Sequence, residues 1–360
     1  MLNFIKDNYI KLQRYQTSLG RDLSNGIRLD RNERVSNLSN EDLNNILNIF
    51  KNYSLSASPE SDELYKSLSK YLKVEKNELF ILNGITEGIR VLLDLCTHPG
   101  DNIFCLDPTY PMYEIYSKMY QLDFKKIKYN YQTLKPNINY YYENCNINTK
   151  FIFLPNPNLP IESSISQNKF LEILEFSKSR NIYVVVDEAY YYFGAPTMLQ
   201  LIKEYKNLII LRTFSKAFGL AGLRIGYMIS QMSNIDLISK SRSIVESNTL
   251  SMEIAKYFIE NQNFKKEHIE QVKQGSIYLR TELDRIGVKY HGGILTNGLL
   301  IFLNNKKESD KIVEFMKKNK VYIRGSFEKP FDSTIRVSLG SVENMKIFSN
   351  LFEEWKNNYK

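Results

Sequence analysis

The stretch Leu211–Tyr227 reads LRTFSKAFGLAGLRIGY, and it decides how the rest of the chain is interpreted. The apolar run Asn207–Leu211 leads into it and predicts a buried strand that ends at Arg212. Lys216 follows among hydroxyl and small side chains, and Arg224 lies eight residues further on. Desolvation and nearby cations turn a lysine into a nucleophile toward carbonyl groups, and an arginine with hydroxyls can bind a phosphate. Taken alone, such a lysine is more simply a surface residue at the end of a strand.

Short apolar runs alternate with amphipathic helical patterns on both sides of this stretch. In Gln167–Arg180, for example, apolar side chains fall on one face and charged side chains on the other. Runs of this length fit strands that are buried on both faces, so they predict an α/β fold with a mostly parallel central sheet. Ligands of such sheets bind at the carboxyl ends of the strands. The runs are Glu78–Leu82, Asn102–Leu106, Phe151–Leu154, Ile182–Asp187, Asn207–Leu211 and Ile225–Ile229.

The pattern changes after about residue 243, where a long helical stretch leads to Gly287. Three apolar runs follow and predict further strands, at 299–303, 321–324 and 334–339, and a terminal helix starts at Ser341. We therefore expect a large domain over residues 46–245 and a smaller α+β domain over residues 246–360. Residues 1–45 are expected to pack on the small domain or on a partner subunit.

Composition limits the classes of function. The chain has 360 residues and a net charge of +8, but its lysines are spread along the sequence and predict no nucleic-acid partner. Three cysteines and three histidines argue against a disulfide framework or a metal site and fit a reducing compartment. No apolar run reaches the ~18 residues of a membrane span, and no secretory signal is recognisable. We expect a cytoplasmic protein.

Polar residues recur where the predicted strands end. Asp187 closes the run in YVVVDEAYYYF, where an unpaired carboxylate is costly. Asn156 lies in LPNPNLPIE, whose prolines make a rigid loop. Ile85 and Thr86 open a helix in LNGITEGIR, and free backbone N–H groups at a helix start bind anions. Tyr110, in DPTYPMY, follows another strand.

These motifs together resemble fold-type-I enzymes that use pyridoxal 5'-phosphate (PLP), and most closely the histidinol-phosphate aminotransferase group. The run Thr213–Tyr227 matches that group nearly in full, and Asp187 lies about thirty residues before Lys216, as in the family. The resemblance implies that Lys216 carries PLP as a Schiff base and that Asp187 keeps the pyridine nitrogen protonated. It implies that Tyr190 and Asn156 contact the phenolic oxygen of PLP and that Tyr110 stacks on the ring. It also implies a homodimer, in which Tyr53 reaches the phosphate of the other subunit's cofactor. The other phosphate contacts are Ile85, Thr86, Thr213, Ser215 and Arg224.

The resemblance also implies residues for the substrates. Arg336 corresponds to the arginine that binds the α-carboxylate, and Arg324 to the one that binds a distal phosphate or carboxylate. Arg31 and Arg34 replace neutral family positions and are candidates for a phosphorylated substrate. The Asn156 loop departs from the family, because Ile161 and Glu162 replace its Thr-Gly.

The predicted function is PLP-dependent amino transfer between L-glutamate and a small phosphorylated carbonyl compound. The alternative in the same fold is a decarboxylase of a phosphorylated amino acid, of the threonine-phosphate or serine-phosphate type. A PLP-sensing transcriptional regulator is disfavoured, because only about 25 residues precede the IRLDRNER motif at 27–34.

Overall fold

The structure, a computed structural model, describes residues 7–10, 12, 21–22, 24–52 and 60–358. The strands in this part of the chain are β1 (Ile27–Leu29), β2 (Leu79–Leu82), β3 (Asn102–Asp107), β4 (Asp123–Lys128), β5 (Thr149–Pro155), β6 (Tyr183–Asp187), β7 (Leu208–Thr213), β8 (Gly226–Ile229), β9 (Tyr290–Gly292), β10 (Gly298–Phe302), β11 (Val321–Ile323) and β12 (Thr334–Ser338).

The α-helices in the same described ranges surround these strands. They are α1 (Asp7–Ile10), α2 (Asn40–Asn52), α3 (Asp62–Leu72), α4 (Ile85–Cys96), α5 (Met112–Met119), α6 (Asn139–Asn144), α7 (Gln167–Lys178), α8 (Met232–Ile238), α9 (Thr249–Glu260), α10 (Asn263–Arg285), α11 (Lys306–Lys318) and α12 (Val342–Asn358). None of these helices, within the described chain, is both long and apolar enough to cross a bilayer.

Seven strands form the central sheet in the order β2-β8-β7-β6-β5-β3-β4. Only β8 runs antiparallel to its neighbours, and the other paired strands are parallel. Alternate residues of β6 enter opposite layers: Val184 and Val186 lie in one apolar core and Val185 in the other. A strand buried on both faces accounts for the continuous apolar runs in the sequence. The predicted fold class, α/β with a mostly parallel sheet, is confirmed.

Strand β4 was absent from the expected set, and its place in the sheet explains why. It lies at the edge, and its sequence DFKKIK buries only Ile127 fully. Charged side chains are common on edge strands, since they oppose pairing with other chains. A strand of this kind lacks the apolar run by which the inner strands were found.

The C-terminal part carries two smaller sheets. Strands β12, β10 and β9 form one antiparallel sheet, and β1 pairs in parallel with β11, with Ile27 opposite Val321. The long helical stretch expected up to Gly287 is two helices, α9 and α10, which are separated at Asn261 and Gln262. The pairing of β1 with β11 brings the residues after β1, including Asp30 and Arg31, close to the end of the central sheet.

Candidate active site

The expected catalytic side chains follow three adjacent strands at their carboxyl ends. Asp187 ends β6, Asn156 follows β5, and Lys216 follows β7. Because β5, β6 and β7 are parallel neighbours, these residues lie along one edge of the sheet. The backbone N–H of Asn156 donates to the backbone carbonyl of Asp187, at 2.9 Å. This bond fixes the positions of these two residues relative to each other.

Lys216 lies in a tight turn directly beyond β7. The buried side chains of Phe214, Ala217 and Phe218 anchor this turn in the core, while Lys216 itself is only partly buried. The ammonium Nζ donates to the backbone carbonyl of Arg31, at 3.1 Å. The turn therefore presents an amine at the sheet edge, held by a carbonyl from the segment after β1.

Asp187 is a buried carboxylate with a fixed set of donors. The hydroxyl of Tyr113 donates to Oδ2 at 2.8 Å, and the backbone N–H of Ala189 donates to Oδ1 at 3.0 Å. Burial raises the pKa of Asp187, although these donors and the charge of Lys216 oppose the increase. A cation placed against Asp187, such as a protonated ring nitrogen, would stabilise the anionic form.

Asn156 offers a donor to a ligand at this edge. Its side chain is fully buried, and Oδ1 accepts from the N–H of Ile165 at 2.8 Å and from the hydroxyl of Ser164 at 3.1 Å. The amide nitrogen Nδ2 is buried and has no hydrogen-bond partner. A buried donor without an acceptor is costly, so this nitrogen fits the phenolic oxygen of PLP.

Tyr190, three residues after Asp187, meets a residue that sequence reasoning missed. Asn32 is buried, and its Nδ2 donates to the hydroxyl oxygen of Tyr190 at 3.0 Å, which leaves the hydroxyl proton available for another acceptor. Ser338 of β12 holds Asn32 through bonds to its backbone N–H and its side-chain oxygen. Asn32 is the asparagine of the IRLDRNER motif at 27–34, and that motif was the signal that could have identified it.

A second missed residue is Tyr113, whose side chain is fully buried beside Asp187. It lies three residues after Tyr110 in DPTYPMY, so both aromatic rings come from one turn and the start of α5. The Tyr110 ring is 42% exposed and meets Tyr113 edge to face, with 6.2 Å between the centroids. Tyr110 therefore lies where a planar ring at the sheet edge could stack on it.

The start of α4 and the region around β8 carry the residues that are expected at the cofactor phosphate. Gly84, at the N-cap of α4, has a φ of +84°, which a side chain would strain. A Cβ on Gly84 would lie 3.0 Å from Nη2 of Arg224, so only glycine lets the guanidinium approach the helix start this closely. Thr86 adds a hydroxyl, which lies 3.1 Å from the hydroxyl of Tyr110.

Thr213 and Ser215 place two more hydroxyl groups before Lys216. The hydroxyl of Thr213 accepts from the N–H of Ser215 at 3.1 Å and donates to its Oγ at 3.0 Å. Both side chains are buried next to β8, whose Gly226 would, with a Cβ, lie 3.3 Å from the backbone nitrogen of Ile85. Gly226 lies opposite Thr213 in the sheet, so β8 brings these hydroxyls toward the start of α4, whose first N–H groups can bind an anion.

Arg324 and Arg336, the two expected substrate arginines, are direct neighbours. Their backbones form an antiparallel pair, with N–H to carbonyl distances of 3.0 Å and 2.7 Å. Directly opposed residues of such a pair place their Cβ atoms about 4.5–5.5 Å apart. Nη2 of Arg336 also donates to the carbonyl of Asp30 at 2.6 Å, so it is oriented by the segment that contacts Lys216.

Arg31 and Arg34 differ from each other in position. Arg31 joins the site through its carbonyl, which accepts from Lys216, while its Nε lies 3.6 Å from a carboxylate oxygen of Asp30. Arg34 is buried, with its guanidinium over the ring of Phe264 in α10 at 4.4 Å. These contacts give Arg34 a packing role behind the Lys216 turn rather than the expected substrate contact. Tyr53, the expected phosphate ligand from a partner subunit, lies outside the described residues.

The ring of His268 in α10 makes the fold sensitive to acid. Its side chain is 1% exposed, and burial together with the charge of Arg34 lowers the pKa of His268 to about 3. The backbone of Lys216 is near enough to oppose this change, but neither ring nitrogen forms a well-aligned hydrogen bond. Below the unfolded-state pKa of ~6.5, the histidine of the unfolded chain is protonated while that of the folded chain stays neutral, so acid lowers the free energy of unfolding.

We therefore expect His268→Phe to flatten the dependence of stability on pH. Between about pH 6 and pH 4, the wild-type free energy of unfolding should fall relative to that of the variant, by up to about 1.4 kcal/mol per pH unit. Urea unfolding at several pH values measures this difference. Parallel curves for the two proteins across this range would show that His268 does not titrate in this way.

A lysine, a buried carboxylate and a buried amide donor at the carboxyl edge of a mostly parallel sheet fit the class of α/β enzymes that use PLP. Residues 24–350 match the profile of the family "Aminotransferase class I and II". The chain belongs to this family, so it is an aminotransferase, and the expected cofactor, PLP, is confirmed at the level of the family.

Known proteins of similar sequence and structure agree with this assignment. The histidinol-phosphate aminotransferase of Clostridium novyi (strain NT) is 31% identical, with 88% of each chain covered. That of Caldanaerobacter subterraneus subsp. tengcongensis is 30% identical, with 91% of this chain and 92% of the relative covered. The histidinol-phosphate aminotransferase of Sinorhizobium meliloti, solved in complex with PLP, has the same fold, with a TM-score of 0.82 at 20% identity over 92% and 91% of the two chains.

Proposed function

We propose that this aminotransferase moves an amino group between L-glutamate and a small phosphorylated carbonyl compound. The observation that carries the proposal is the pairing of Arg324 with Arg336, next to the segment that contacts Lys216. One guanidinium suits the α-carboxylate of the substrate, and the other suits its distal carboxylate or phosphate. One pair of arginines can thus serve both substrates in turn.

The residues of the sheet edge would hold PLP, and one of them, Asn156, has a buried amide nitrogen without a hydrogen-bond partner. Asp187 would face the pyridine nitrogen, and Asn156 Nδ2 with the Tyr190 hydroxyl would donate to the phenolic oxygen. The start of α4 would hold the phosphate together with Arg224 and the nearby hydroxyls. When bound, PLP supplies an electron sink for the pair of electrons released at the substrate Cα.

Lys216 performs the proton transfers in this proposal. As a free amine at the sheet edge, its Nζ would take the proton from the substrate Cα. Nζ of Lys216 donates a hydrogen bond to the Arg31 carbonyl. This bond limits the positions to which Lys216 can deliver the proton. Asp187 would hold a protonated ring nitrogen of the cofactor, because a cation there stabilises its buried carboxylate.

The names of the relatives suggest which phosphorylated substrate to test first. Both of the curated relatives described above are histidinol-phosphate aminotransferases. We therefore place histidinol phosphate first among the candidates. Ile161 and Glu162 depart from the family pattern, so other small phosphorylated aldehydes and ketones belong in the same screen.

The test begins with glutamate alone. Mixing it with the yellow holoenzyme should bleach the visible absorbance and release 2-oxoglutarate, because the amino group stays on the cofactor. Adding a phosphorylated carbonyl compound should restore the colour, and the compound that does so fastest identifies the acceptor. Release of carbon dioxide from threonine phosphate or serine phosphate, without bleaching by any amino donor, would support the decarboxylase instead.

We also propose that the enzyme is a cytoplasmic homodimer whose large and small domains meet near residue 245. Apolar side chains exposed on one face of α2 support the dimer: Leu43, Leu47 and Phe50 are 43%, 55% and 48% exposed and lie at i, i+4 and i+7. Ile244 is 98% exposed as well. Exposed apolar patches of this kind mark protein interfaces.

Charged side chains on this face should therefore separate the subunits. We expect the double variant Leu47→Glu, Phe50→Glu to sediment as a monomer at concentrations where the wild type is a dimer, because each new carboxylate would have to be buried without a partner. Leu237→Glu, at a 61% exposed leucine of α8, is the matched control and should not change the mass. A double variant that stays dimeric would exclude this face of α2 from the interface.

A further inference from the structure

Glu162 ends the loop that begins at Asn156, and it stands where the family motif has glycine. The side chain is buried, with 8% exposed. Its carboxylate accepts from three successive backbone N–H groups, those of residues 293–295, at 3.0 to 3.2 Å. The hydroxyl of Thr296 donates to Oε2 at 2.8 Å. The carboxylate thus has a built site in the loop between β9 and β10.

The backbone of this 293–297 loop is shaped for an anion. Gly292 and Gly293 have φ values of +93° and +77°, conformations that favour glycine. Successive N–H groups in such a turn point to one side and form a concave site for an anion. A Cβ on Gly292 would lie 3.0 Å from the Cβ of Glu162, so the loop leaves just enough room for this side chain. The protein fills an anion site with its own carboxylate.

The same loop is connected to the catalytic residues. Nδ2 of Asn297 donates to the carbonyl of Asn32 at 3.1 Å, and the carbonyl of Asn297 accepts from the N–H of Leu339 at 2.8 Å. Asn32 in turn donates to the Tyr190 hydroxyl, and the residue before it, Arg31, supplies the carbonyl that holds Lys216. Hydrogen bonds, together with the peptide links Thr296–Asn297 and Arg31–Asn32, therefore connect Glu162 with Tyr190 and Lys216.

We propose that Glu162 is a positioning residue for the transamination site. Its charge holds the 293–297 loop, the loop holds Asn32, and Asn32 orients the Tyr190 hydroxyl and the Arg31 carbonyl. The inference rests on the proposed roles of Tyr190 and Lys216. In the family pattern, a glycine at this position leaves no side chain to bind the loop. The contacts of the Glu162 carboxylate with residues 293–296 are therefore a feature of this chain.

The kinetic test compares three variants of the holoenzyme. Glu162→Ala should lower the rate of the glutamate half-reaction by about 10²-fold, the usual effect of a misplacement of about 1 Å near the chemistry. Its KM for glutamate should change far less, because Arg324 and Arg336 are untouched. Glu162→Gln keeps the shape of the side chain without its charge, and it should fall between the wild type and the alanine variant. Glu172→Ala, at an exposed glutamate of α7, is the matched control.

Rescue by a small anion separates positioning from general loss of stability. In the alanine variant, the three N–H groups and the Thr296 hydroxyl remain, so sodium formate should fill the site and recover much of the lost rate. Sodium chloride at equal ionic strength is the control for general salt effects. Amide hydrogen exchange of the chain without substrate gives a second readout: residues 293–295 should exchange faster in the alanine variant and slow again with formate.

The outcomes are distinct. If the alanine variant keeps the wild-type half-reaction rate, or if its exchange at 293–295 is unchanged, Glu162 is not a positioning residue. If the rate falls while formate restores neither the rate nor the protection from exchange, the effect is structural and the proposal is overturned. If wild-type enzyme fails to react with glutamate, the proposed function fails, whereas the exchange measurements still decide whether Glu162 holds the loop. The glutamine variant serves if the alanine variant does not fold.

Discussion

Replacement of Lys216 by alanine should reduce transamination by more than about 10⁴-fold. A positioned general base alone contributes about 10²–10⁴-fold, and Lys216 is also the proposed point of covalent attachment for PLP. The side chain belongs to the turn after β7, and its Nζ donates to the Arg31 carbonyl. The half-reaction with glutamate, followed by stopped-flow absorbance, measures the loss.

Mass spectrometry after borohydride treatment tests the attachment itself. The wild-type chain should gain the mass of the reduced cofactor on the peptide that contains Lys216, and the variant should not. Lys128→Ala is a matched control, because Lys128 ends the parallel strand β4 at the same edge of the sheet and is exposed. A Lys216→Ala enzyme that retained more than a tenth of the wild-type rate would contradict the proposed base and attachment site.

Replacement of Asp187 by asparagine should lower the rate by about 10³-fold, near the upper end for loss of one preorganised electrostatic group. Asparagine has nearly the same shape: its single side-chain oxygen can still accept from the N–H of Ala189, and its amide nitrogen can donate to the hydroxyl oxygen of Tyr113, which now donates to the carboxylate. It has no negative charge with which to keep a proton on the ring nitrogen. The electron sink is weakened, while the fold and the cofactor pocket are kept.

The measurement for Asp187 pairs the glutamate half-reaction with cofactor binding. The variant should lose affinity for PLP as well as rate, since the buried cation–anion contact contributes to both. Asp123→Asn, an exposed carboxylate at the start of β4, serves as the control and should behave as wild type. A variant with normal rate and normal affinity would show that Asp187 does not face the ring nitrogen.

Much of the site was predictable because of where its residues fall relative to strands. Lys216, Asp187 and Asn156 each follow an inner strand, and parallel strands bring such positions to one edge. The inner strands were themselves recognisable, because burial on both faces demands a continuous apolar run. The family motifs then assigned a role to each position.

The contributions that were missed come through contacts remote in sequence. Tyr113 meets Asp187 across 74 residues, and the carbonyl of Arg31 meets Lys216 across 185. A backbone carbonyl is present at every position, so no residue pattern distinguishes the one that Lys216 uses. Arg34 shows the opposite case, since its charge suggested a substrate contact, but its guanidinium packs on Phe264.

The sequence by itself determined the α/β class, the family and the residues at the strand ends, because burial and motif spacing are local properties of the chain. Only the tertiary structure decided which donors surround those residues, since the N-terminal segment after β1 and the 293–297 loop meet the sheet edge only on folding. Glu162 shows the difference most directly. In the sequence it is a departure from a motif, and in the structure it is a carboxylate bound by N–H groups more than 130 residues away.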